Sequence, residues 1–140
     1  MSGVDLLKQH LEWVEQDKLE VSENFFSRNV EEKVEYESFM DDYVLRVKMM
    51  LSSRKYSKID REKLPYVLMT SIVSVEDLED GEVMDFKIVS PNESEQTCDA
   101  ISASYLSPMG RAMLLKSIDE HVSIKTPTGV FKYKIKNIKA

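Results

Sequence analysis

Proline and glycine are nearly absent from the first 57 residues, and this distribution divides the chain into two parts. Before residue 57 the only glycine is Gly3, whereas all four prolines and the other three glycines occur from Pro65 onward. These residues interrupt regular local structure more strongly than any others, so a long stretch without them favours continuous helix. We therefore expect a helical domain over residues 1–57, a linker over 58–65 and a second domain over 66–140.

Two amphipathic patterns occupy the first part. Their spacing of three and four places each apolar set on one helical face and predicts helices over about 4–20 and 30–53. Since neither helix can bury its apolar face alone and the connection is short, we expect an antiparallel hairpin that forms a short coiled coil. The helices would be unequal, about 25 Å and 36 Å long at 1.5 Å per residue. The two apolar sets are Val4, Leu7, Leu11 and Val14, and Tyr36, Met40, Tyr43, Val47 and Met50.

Residues 20–29 are predicted to connect the two helices. Either Ser27 or Asn29 can accept a hydrogen bond from a free backbone N–H group and so cap the second helix. Glu31 and Glu32 would then lie in its first turn, where negative charge is favourable. The sequence leaves open whether the helices pair within one chain or with a second copy.

Alternating apolar and polar residues replace the helical spacing after Pro65. Residues 66–75 and 83–89 predict two strands, and the intervening Asp80 and Gly81 are typical of a hairpin turn. A third strand is expected at 100–106, followed by a short helix at 108–116 with Pro108 near its start.

Two further strands complete the predicted second domain. Val122, Ile124 and Thr126 form one strand face, and a turn at 127–129 leads to a last strand with alternating lysines. The sequence thus predicts an α+β fold: an antiparallel helical hairpin followed by an antiparallel β-sheet domain with one short helix.

Composition limits the possible functions. A net charge of −6 argues against nonspecific DNA binding as the main activity. No apolar run approaches the roughly 18 residues of a membrane span, and the first ten residues do not resemble a secretory signal. The single cysteine, Cys98, fits a reducing compartment. We therefore expect a cytoplasmic protein without a membrane partner.

Charge alternates in sign along the chain. Net charges of −8, +5, −8 and +5 fall on residues 1–45, 46–63, 64–105 and 106–140. Two interpretations remain open at this point: solvated faces whose signs cluster, or a bipolar molecule that meets a partner with complementary patches.

Catalytic and metal-binding patterns are not apparent. His10 and His121 are far apart in sequence and are expected at the surface or at its boundary. Cys98 lies in an acidic stretch that would raise its pKa, and Asp41 and Asp42 are adjacent on a helix and so diverge. From the residues alone we expect a binding or regulatory protein that is not itself an enzyme and needs no cofactor.

The most specific pattern begins the predicted short helix with Ser107, Pro108, Met109, Gly110 and Arg111. Apolar residues to 115, a strand and a Pro-Thr-Gly turn follow, and residues 75–82 place an acidic stretch before a Gly-Glu pair. In order and spacing these motifs resemble the C-terminal domain of the GreA/GreB transcription elongation factor family over about residues 65–139. The resemblance implies an FKBP-like domain after a helical hairpin.

The resemblance also implies a partner and a docking segment. In that family the C-terminal domain docks at the secondary channel of RNA polymerase and the coiled coil reaches inward. Ser107, Pro108, Met109, Gly110 and Arg111 would form the docking segment, with Met109 and Arg111 making contact. Nucleic acid would be met only through the polymerase complex. Any Mg²⁺ would be shared with the polymerase.

Glu20 and Glu23 resemble the acidic tip with which the family assists RNA cleavage. The match departs from the family pattern, because Phe26 and Ser27 replace an acidic and aromatic pair and only 19 residues precede the tip. This short arm is similar to that of Rnk proteins, which lack the cleavage acids, whereas Gly110 and Arg111 keep the Gre form. The subfamily therefore stays open.

The expected function is an RNA polymerase-binding regulator that inserts a short arm and modulates elongation without transcript cleavage. A cleavage-stimulating factor that acts through Glu20 and Glu23 is the alternative. Peptidyl-prolyl isomerase activity is a third possibility that rests on fold analogy alone. The sequence leaves open whether elongation is helped or hindered, and which oligomer forms.

Overall fold

The computed structural model describes residues 3–51, 66–93 and 99–139. Internal contacts divide the chain into two units, residues 1–60 and 61–140. The predicted linker, residues 58–65, and Cys98 lie outside the described residues. The element order is two helices, three strands, one short helix and two strands.

The first unit is a helical hairpin with arms of nearly equal length. α1 spans Gly3–Phe26 and α2 spans Val30–Leu51, so only three residues connect them. At 1.5 Å per residue the helices are about 36 Å and 33 Å long. The predicted loop at 20–29 and the unequal arms are therefore wrong. Residues 20–26 contain no glycine or proline, and Val21 is fully buried in the hairpin, so nothing ends α1 before Phe26.

Pairs of side chains connect α1 to α2 along the hairpin. Partner numbers on α2 fall as residue numbers on α1 rise, which is the signature of antiparallel neighbours within one chain. The pairs are His10 Nε2 with Tyr43 Oη at 2.6 Å, Lys18 Nζ with Asp41 Oδ1 at 2.6 Å, Ser22 Oγ donating to Glu37 Oε1 at 3.0 Å, and the rings of Phe26 and Tyr36 stacked with centroids 5.0 Å apart.

The buried face of α1 contains polar residues that the apolar pattern did not include. Leu7, Val14 and Val21 are fully buried, and His10 and Asp17 are buried between them at spacings of three and four. The predicted Leu11 is only half-buried. This spacing is that of coiled-coil core positions, so about every second core position of α1 is polar. The predicted face of α2 is confirmed, since Tyr36, Met40, Tyr43 and Val47 are buried and Met50 is half-buried.

His10 is not the surface residue that we expected. Its imidazole is buried, hydrogen-bonds Tyr43 and stacks on Trp13 with ring centroids 5.9 Å apart. Burial lowers the pKa of His10 to about 4, because the charged form loses water. No buried side-chain nitrogen or oxygen among the described residues lacks a hydrogen-bond partner, so the polar positions of the hairpin are satisfied.

Asn29, one of the two expected caps, begins α2. Its side-chain oxygen accepts a hydrogen bond from the backbone N–H of Glu32 at 3.1 Å, and its carbonyl accepts from Lys33. Glu31 and Glu32 lie in the first turn of α2, as predicted.

Replacing Asn29 by alanine should destabilise the hairpin by about 1 kcal/mol, because a free N–H group at the helix start loses its acceptor. Urea unfolding followed by helical circular dichroism measures this loss. Ser27→Ala in the same turn is the matched control and should change stability by a few tenths of a kcal/mol at most. Equal effects of the two substitutions would contradict the cap assignment.

The second unit is a five-stranded sheet with strand order β3-β2-β1-β5-β4. The sheet is accompanied by one short helix, α3. Apolar side chains on one sheet face, together with the segment before β1 and Met113 of α3, form the core. The bounds are β1 Ile72–Asp77, β2 Val83–Val89, β3 Ile101–Ser104, α3 Pro108–Met113, β4 His121–Thr126 and β5 Gly129–Lys139.

The first predicted strand starts six residues later than expected. Thr70 has a φ of 73°, and the backbone N–H of Leu68 donates to Ser71 Oγ at 3.0 Å. This turn lets Val67 pair its backbone with Leu115 and Lys116 instead of with the sheet. Residues 67–69 are therefore buried because they cover the core, and they are not part of a strand.

One strand pairing differs from the predicted antiparallel sheet. β2 and β3 are parallel, with Phe86 opposite Ile101 and Ile88 opposite Ala103, whereas the other three pairings are antiparallel. Parallel neighbours need a crossover connection, and eleven residues separate these two strands.

The predicted hairpin turn at Asp80 and Gly81 is confirmed. Gly81 has a φ of +77°, a left-handed conformation that glycine adopts without steric cost. In β5 the lysines alternate as predicted as far as Lys136, where a bulge opposite Ser74 and Val75 shifts the register. The bulge explains why Ile135 and Ile138, three residues apart, are both fully buried.

Candidate functional site

The segment that the sequence singled out forms a tight turn between β3 and α3. Ser107 precedes the helix in an extended conformation, and its hydroxyl donates to the carbonyl of Ser104 at 2.6 Å. The same oxygen accepts from the backbone N–H of Gly110 at 3.0 Å. Pro108 occupies the first helical turn, where its missing N–H costs nothing. Ser107 and Pro108 therefore fix the direction in which the helix leaves the sheet.

Gly110 is required because backbone passes directly beside it. An alanine Cβ at this position would lie 2.0 Å from the carbonyl oxygen of Ser104 and 3.1 Å from the Cα of Tyr105. Gly110 is buried, and its carbonyl accepts from the N–H of Leu114 at 3.2 Å. Pro108 and Gly110 therefore build the turn between β3 and α3.

The two predicted contact residues differ in exposure. Arg111 is exposed in the last turn of α3, whereas Met109 is half-buried, although the resemblance implied an exposed apolar side chain. Met113 faces the core and is fully buried, whereas Ala112 and Leu114 are only half-buried. The turn thus presents one cation and part of one apolar side chain.

Glu20 and Glu23 lie on the side of α1 and not in the turn. Both are exposed, and Glu20 Oε1 accepts a hydrogen bond from Gln16 Nε2 at 3.2 Å. Three positions apart on a helix, the two carboxylates lie on neighbouring positions of one face. The turn itself contains Ser27, Arg28 and Asn29, and none of these is acidic.

The remaining polar candidates do not form a shared site. His121 is exposed as expected, and Asp41 and Asp42 diverge: Asp41 pairs with Lys18, and Asp42 pairs with Arg46 at 3.2 Å. Within residues 3–51, 66–93 and 99–139, no group of three or more His, Cys, Asp or Glu side chains could hold a metal ion. In the same ranges no helix is both long and apolar enough to cross a membrane.

Sequence reasoning missed the exposed apolar side chains near the hairpin turn. Phe25 is 51% exposed and Val30 is 76% exposed. The sequence does contain a signal for this exposure, the adjacent pair Phe25 and Phe26. Two successive helical residues point about 100° apart, so only one of the two rings can face α2 and the other must point outward.

Comparison with known proteins places these features in a family. The family model described as transcription elongation factor, GreA/GreB, C-term, matches residues 62–140. Over nearly its whole length the chain is similar to two curated relatives. Transcription elongation factor GreA of Wigglesworthia glossinidia brevipalpis is 30% identical, with 99% of this chain and 94% of that protein covered. Transcription elongation factor GreA of Clostridioides difficile is 31% identical, with 98% and 92% covered.

A solved structure has a similar fold. The transcription factor Gfh1 superposes with a TM-score of 0.50 at 20% identity, with 98% of this chain and 88% of that chain covered. The family model covers more than half of this chain, and the turn that it includes has Ser107, Pro108 and Gly110 in structural roles. The chain therefore belongs to the GreA/GreB transcription elongation factor family.

Proposed function

We propose that this protein binds RNA polymerase at its secondary channel and modulates elongation without stimulating transcript cleavage. Membership of the GreA/GreB family and the names of its relatives support polymerase binding. The observation that carries the proposal is the rigid turn at residues 107–111. It carries an exposed cation, Arg111, and a half-buried apolar side chain, Met109, on the second unit.

Docking through this turn has a physical basis. Hydrogen bonds of Ser107 with Ser104 and Gly110 restrain the turn, so its backbone loses little conformational entropy on binding. Arginine beside an apolar side chain is a frequent composition of the residues that dominate protein interfaces.

The position of the tip acids supports the proposal that cleavage is not stimulated. Glu20 lies six residues before the end of α1, about 9 Å along the helix axis. If the turn end enters a channel first, the Glu20 carboxylate faces the wall of the channel and stays about 9 Å behind the turn. The turn residues, Ser27 to Asn29, offer no carboxylate, the side-chain group through which proteins usually bind Mg²⁺.

Retention of core RNA polymerase by the tagged protein tests docking. We expect Met109→Asp/Arg111→Glu to abolish retention at micromolar concentration, because the substitutions remove the cation and place two carboxylates in the contact. Ser123→Asp/Lys132→Glu is the matched control, since it changes net charge equally at exposed, directly opposed positions of β4 and β5. Failure of the unsubstituted protein to retain polymerase, or full retention by the docking variant, would contradict the proposal.

A cleavage-stimulating role is the second candidate, because Glu20 and Glu23 are both exposed and one helical turn apart. A cleavage assay on stalled elongation complexes separates the two functions. We expect no cleavage above that of polymerase alone. If the unsubstituted protein accelerates cleavage, and Glu20→Gln/Glu23→Gln removes the acceleration while Glu12→Gln/Glu15→Gln does not, the second candidate is correct.

A further inference from the structure

The outer face of the sheet, opposite the core, carries most of the basic side chains of the second unit. Buried Val75 lies opposite buried Ile135, so the next pair along the strands, Glu76 and Lys134, points away from the core. The same alternation places the other paired lysines of β4 and β5 on this outer face, and at the bulge Lys136 Nζ lies 3.6 Å from Glu76 Oε2. These lysines, here called the lysine face, are Lys125, Lys132, Lys134, Lys136 and Lys139.

Nearby carboxylates neutralise the lysine face only in part. Lys134 Nζ lies 3.7 Å from Asp119 Oδ1, and ion pairs of this kind between partly exposed side chains contribute little. Lys125 and Lys132 are exposed and form no ion pair with any residue that the structure describes. Because Lys125 lies opposite Val130, it is a diagonal neighbour of Lys132 on the adjacent strand, roughly 7–8 Å away. Two unpaired ammonium groups therefore lie side by side at the open edge of the sheet.

The composition of the lysine face favours a phosphate backbone over a protein surface as its partner. Protein interfaces have an apolar centre and are depleted of lysine, whereas rows of basic side chains are typical of nucleic-acid binding. The aromatic rings of β5 lie on the other side of the sheet, since Phe131 and Tyr133 are opposite the buried Ile124 and Val122. Stacking on bases would therefore be absent, and binding through phosphates alone is independent of base sequence.

The layout of the lysine face fits a single strand better than a duplex. Residues 132–139 lie along β5 and span roughly 23 Å at 3.3 Å per residue. A flexible single strand can follow this row with successive phosphates, whereas a stiff duplex curves away from a sheet and meets it at fewer points. The net charge of −6 does not prevent this contact, because distant charges are screened within about 8 Å at physiological ionic strength.

We propose that the lysine face binds single-stranded RNA through its phosphate backbone. The choice of RNA rests on the proposed function, because an elongating polymerase produces a single-stranded RNA. Met113 of α3 is buried in the core, so the docking turn and the lysine face belong to opposite sides of the sheet. The second unit can therefore contact a protein and a nucleic acid at the same time. This direct contact adds to the indirect one that the family resemblance implied.

Fluorescence anisotropy of a labelled oligouridylate tests this binding with the protein alone. We expect a dissociation constant between about 1 and 100 µM, the range of nonspecific binding. The attraction is moderate because the acidic turn after β1 adjoins this face, where the N–H of Leu78 donates to the carbonyl of Lys132.

Substitution of the two unpaired lysines should weaken this binding. We expect Lys125→Gln/Lys132→Gln to lower the affinity about tenfold and to reduce the slope of log K against log salt concentration by about 1.4, which is 0.7 for each lost phosphate contact. Lys8→Gln/Lys48→Gln is the matched control, because it removes two exposed lysines from the first unit. Thermal unfolding should be unchanged in both variants, since neither breaks an ion pair between described residues.

Four results would overturn the inference. The first two are unchanged affinity of the lysine-face variant and an equal loss in the control variant. Stronger binding of duplex DNA than of the oligouridylate would exclude the single strand as the preferred partner. Equal binding of polyglutamate would indicate an acidic protein segment instead of RNA.

Retention of core polymerase separates this inference from the proposed function. Ser123→Asp/Lys132→Glu, the control variant for docking, should still retain core polymerase that carries no nucleic acid, and it should lose affinity for the oligouridylate. If polymerase is retained and the oligouridylate does not bind, the inference fails and docking stands. If the oligouridylate binds and polymerase is not retained, the proposed function fails and the RNA contact stands.

Discussion

Gly110→Ala should destabilise the second unit by about 3 kcal/mol or more, at the upper end of the range for overpacked sites. The added methyl group would lie 2.0 Å from the carbonyl oxygen of Ser104 and 2.8 Å from its carbonyl carbon. These are backbone atoms, so no flexible side chain can move aside. The same carbonyl accepts the Ser107 hydroxyl, so relief of the clash would break the turn that carries Met109 and Arg111.

Gly81→Ala is the control that separates steric contact from backbone strain. Gly81 has a φ of +77°, and a Cβ added there would have no atom within 4 Å, so alanine should cost only about 1 kcal/mol. Urea unfolding of both variants, followed through protection of strand amides from hydrogen exchange, gives the comparison. If the Gly110→Ala variant is as stable as the Gly81→Ala variant, or more stable, then Gly110 does not lie as close to the Ser104 carbonyl as the structure indicates.

Acidification should destabilise the hairpin over a pH range that is set by the pKa of His10. The pKa of the buried imidazole is lowered from 6.5 to about 4, so the folded hairpin binds fewer protons than the unfolded chain between these values. Stability is therefore fully present above pH 6.5 and falls as the pH drops towards 4. A shift of this size corresponds to about 3 kcal/mol at pH 4 relative to pH 7.

Trp13 provides the measurement, because it is the only tryptophan and stacks on His10. Its fluorescence reports urea unfolding of the hairpin at a series of pH values. His10→Gln keeps a hydrogen-bonding group near Tyr43 and does not titrate, so its stability should change much less between pH 6.5 and pH 4. Parallel pH profiles for the two proteins would show that carboxylates, and not His10, govern the acid response.

Local signals account for the elements that the sequence predicted well. β2 has the predicted bounds, because alternation and an Asp-Gly turn are both encoded within a few residues. Asn29 caps α2 for the same reason. The turn at residues 107–111 was also predictable, since serine, proline and glycine each have a conformational role that depends on immediate neighbours.

Features that depend on distant residues were not predictable from the pattern. The length of α1 was underestimated because Ser22 is polar, yet it is buried and bonds Glu37 on the other helix. The same dependence hid His10, whose partner is 33 positions away. The spacing of apolar residues cannot identify a polar residue that is buried because it forms a hydrogen bond with a distant residue.

The candidate site likewise combines features that follow from local sequence with features that depend on distant residues. Which residues form the turn followed from the sequence, whereas the half-buried position of Met109 and the outward position of Phe25 depend on packing. The parallel pairing of β2 and β3 likewise needed the structure, because strand order is a property of the whole sheet.

Polar residues in the hairpin core have a consequence for how the arm can fit a partner. Sliding α1 along α2 by one heptad would separate His10 from Tyr43 and Ser22 from Glu37, and would leave buried polar groups without partners. Each such group costs roughly 1–3 kcal/mol, so alternative alignments are strongly disfavoured. The hairpin therefore has one length, and any partner that encloses it would have to match that length, because the helices cannot shift to adjust it.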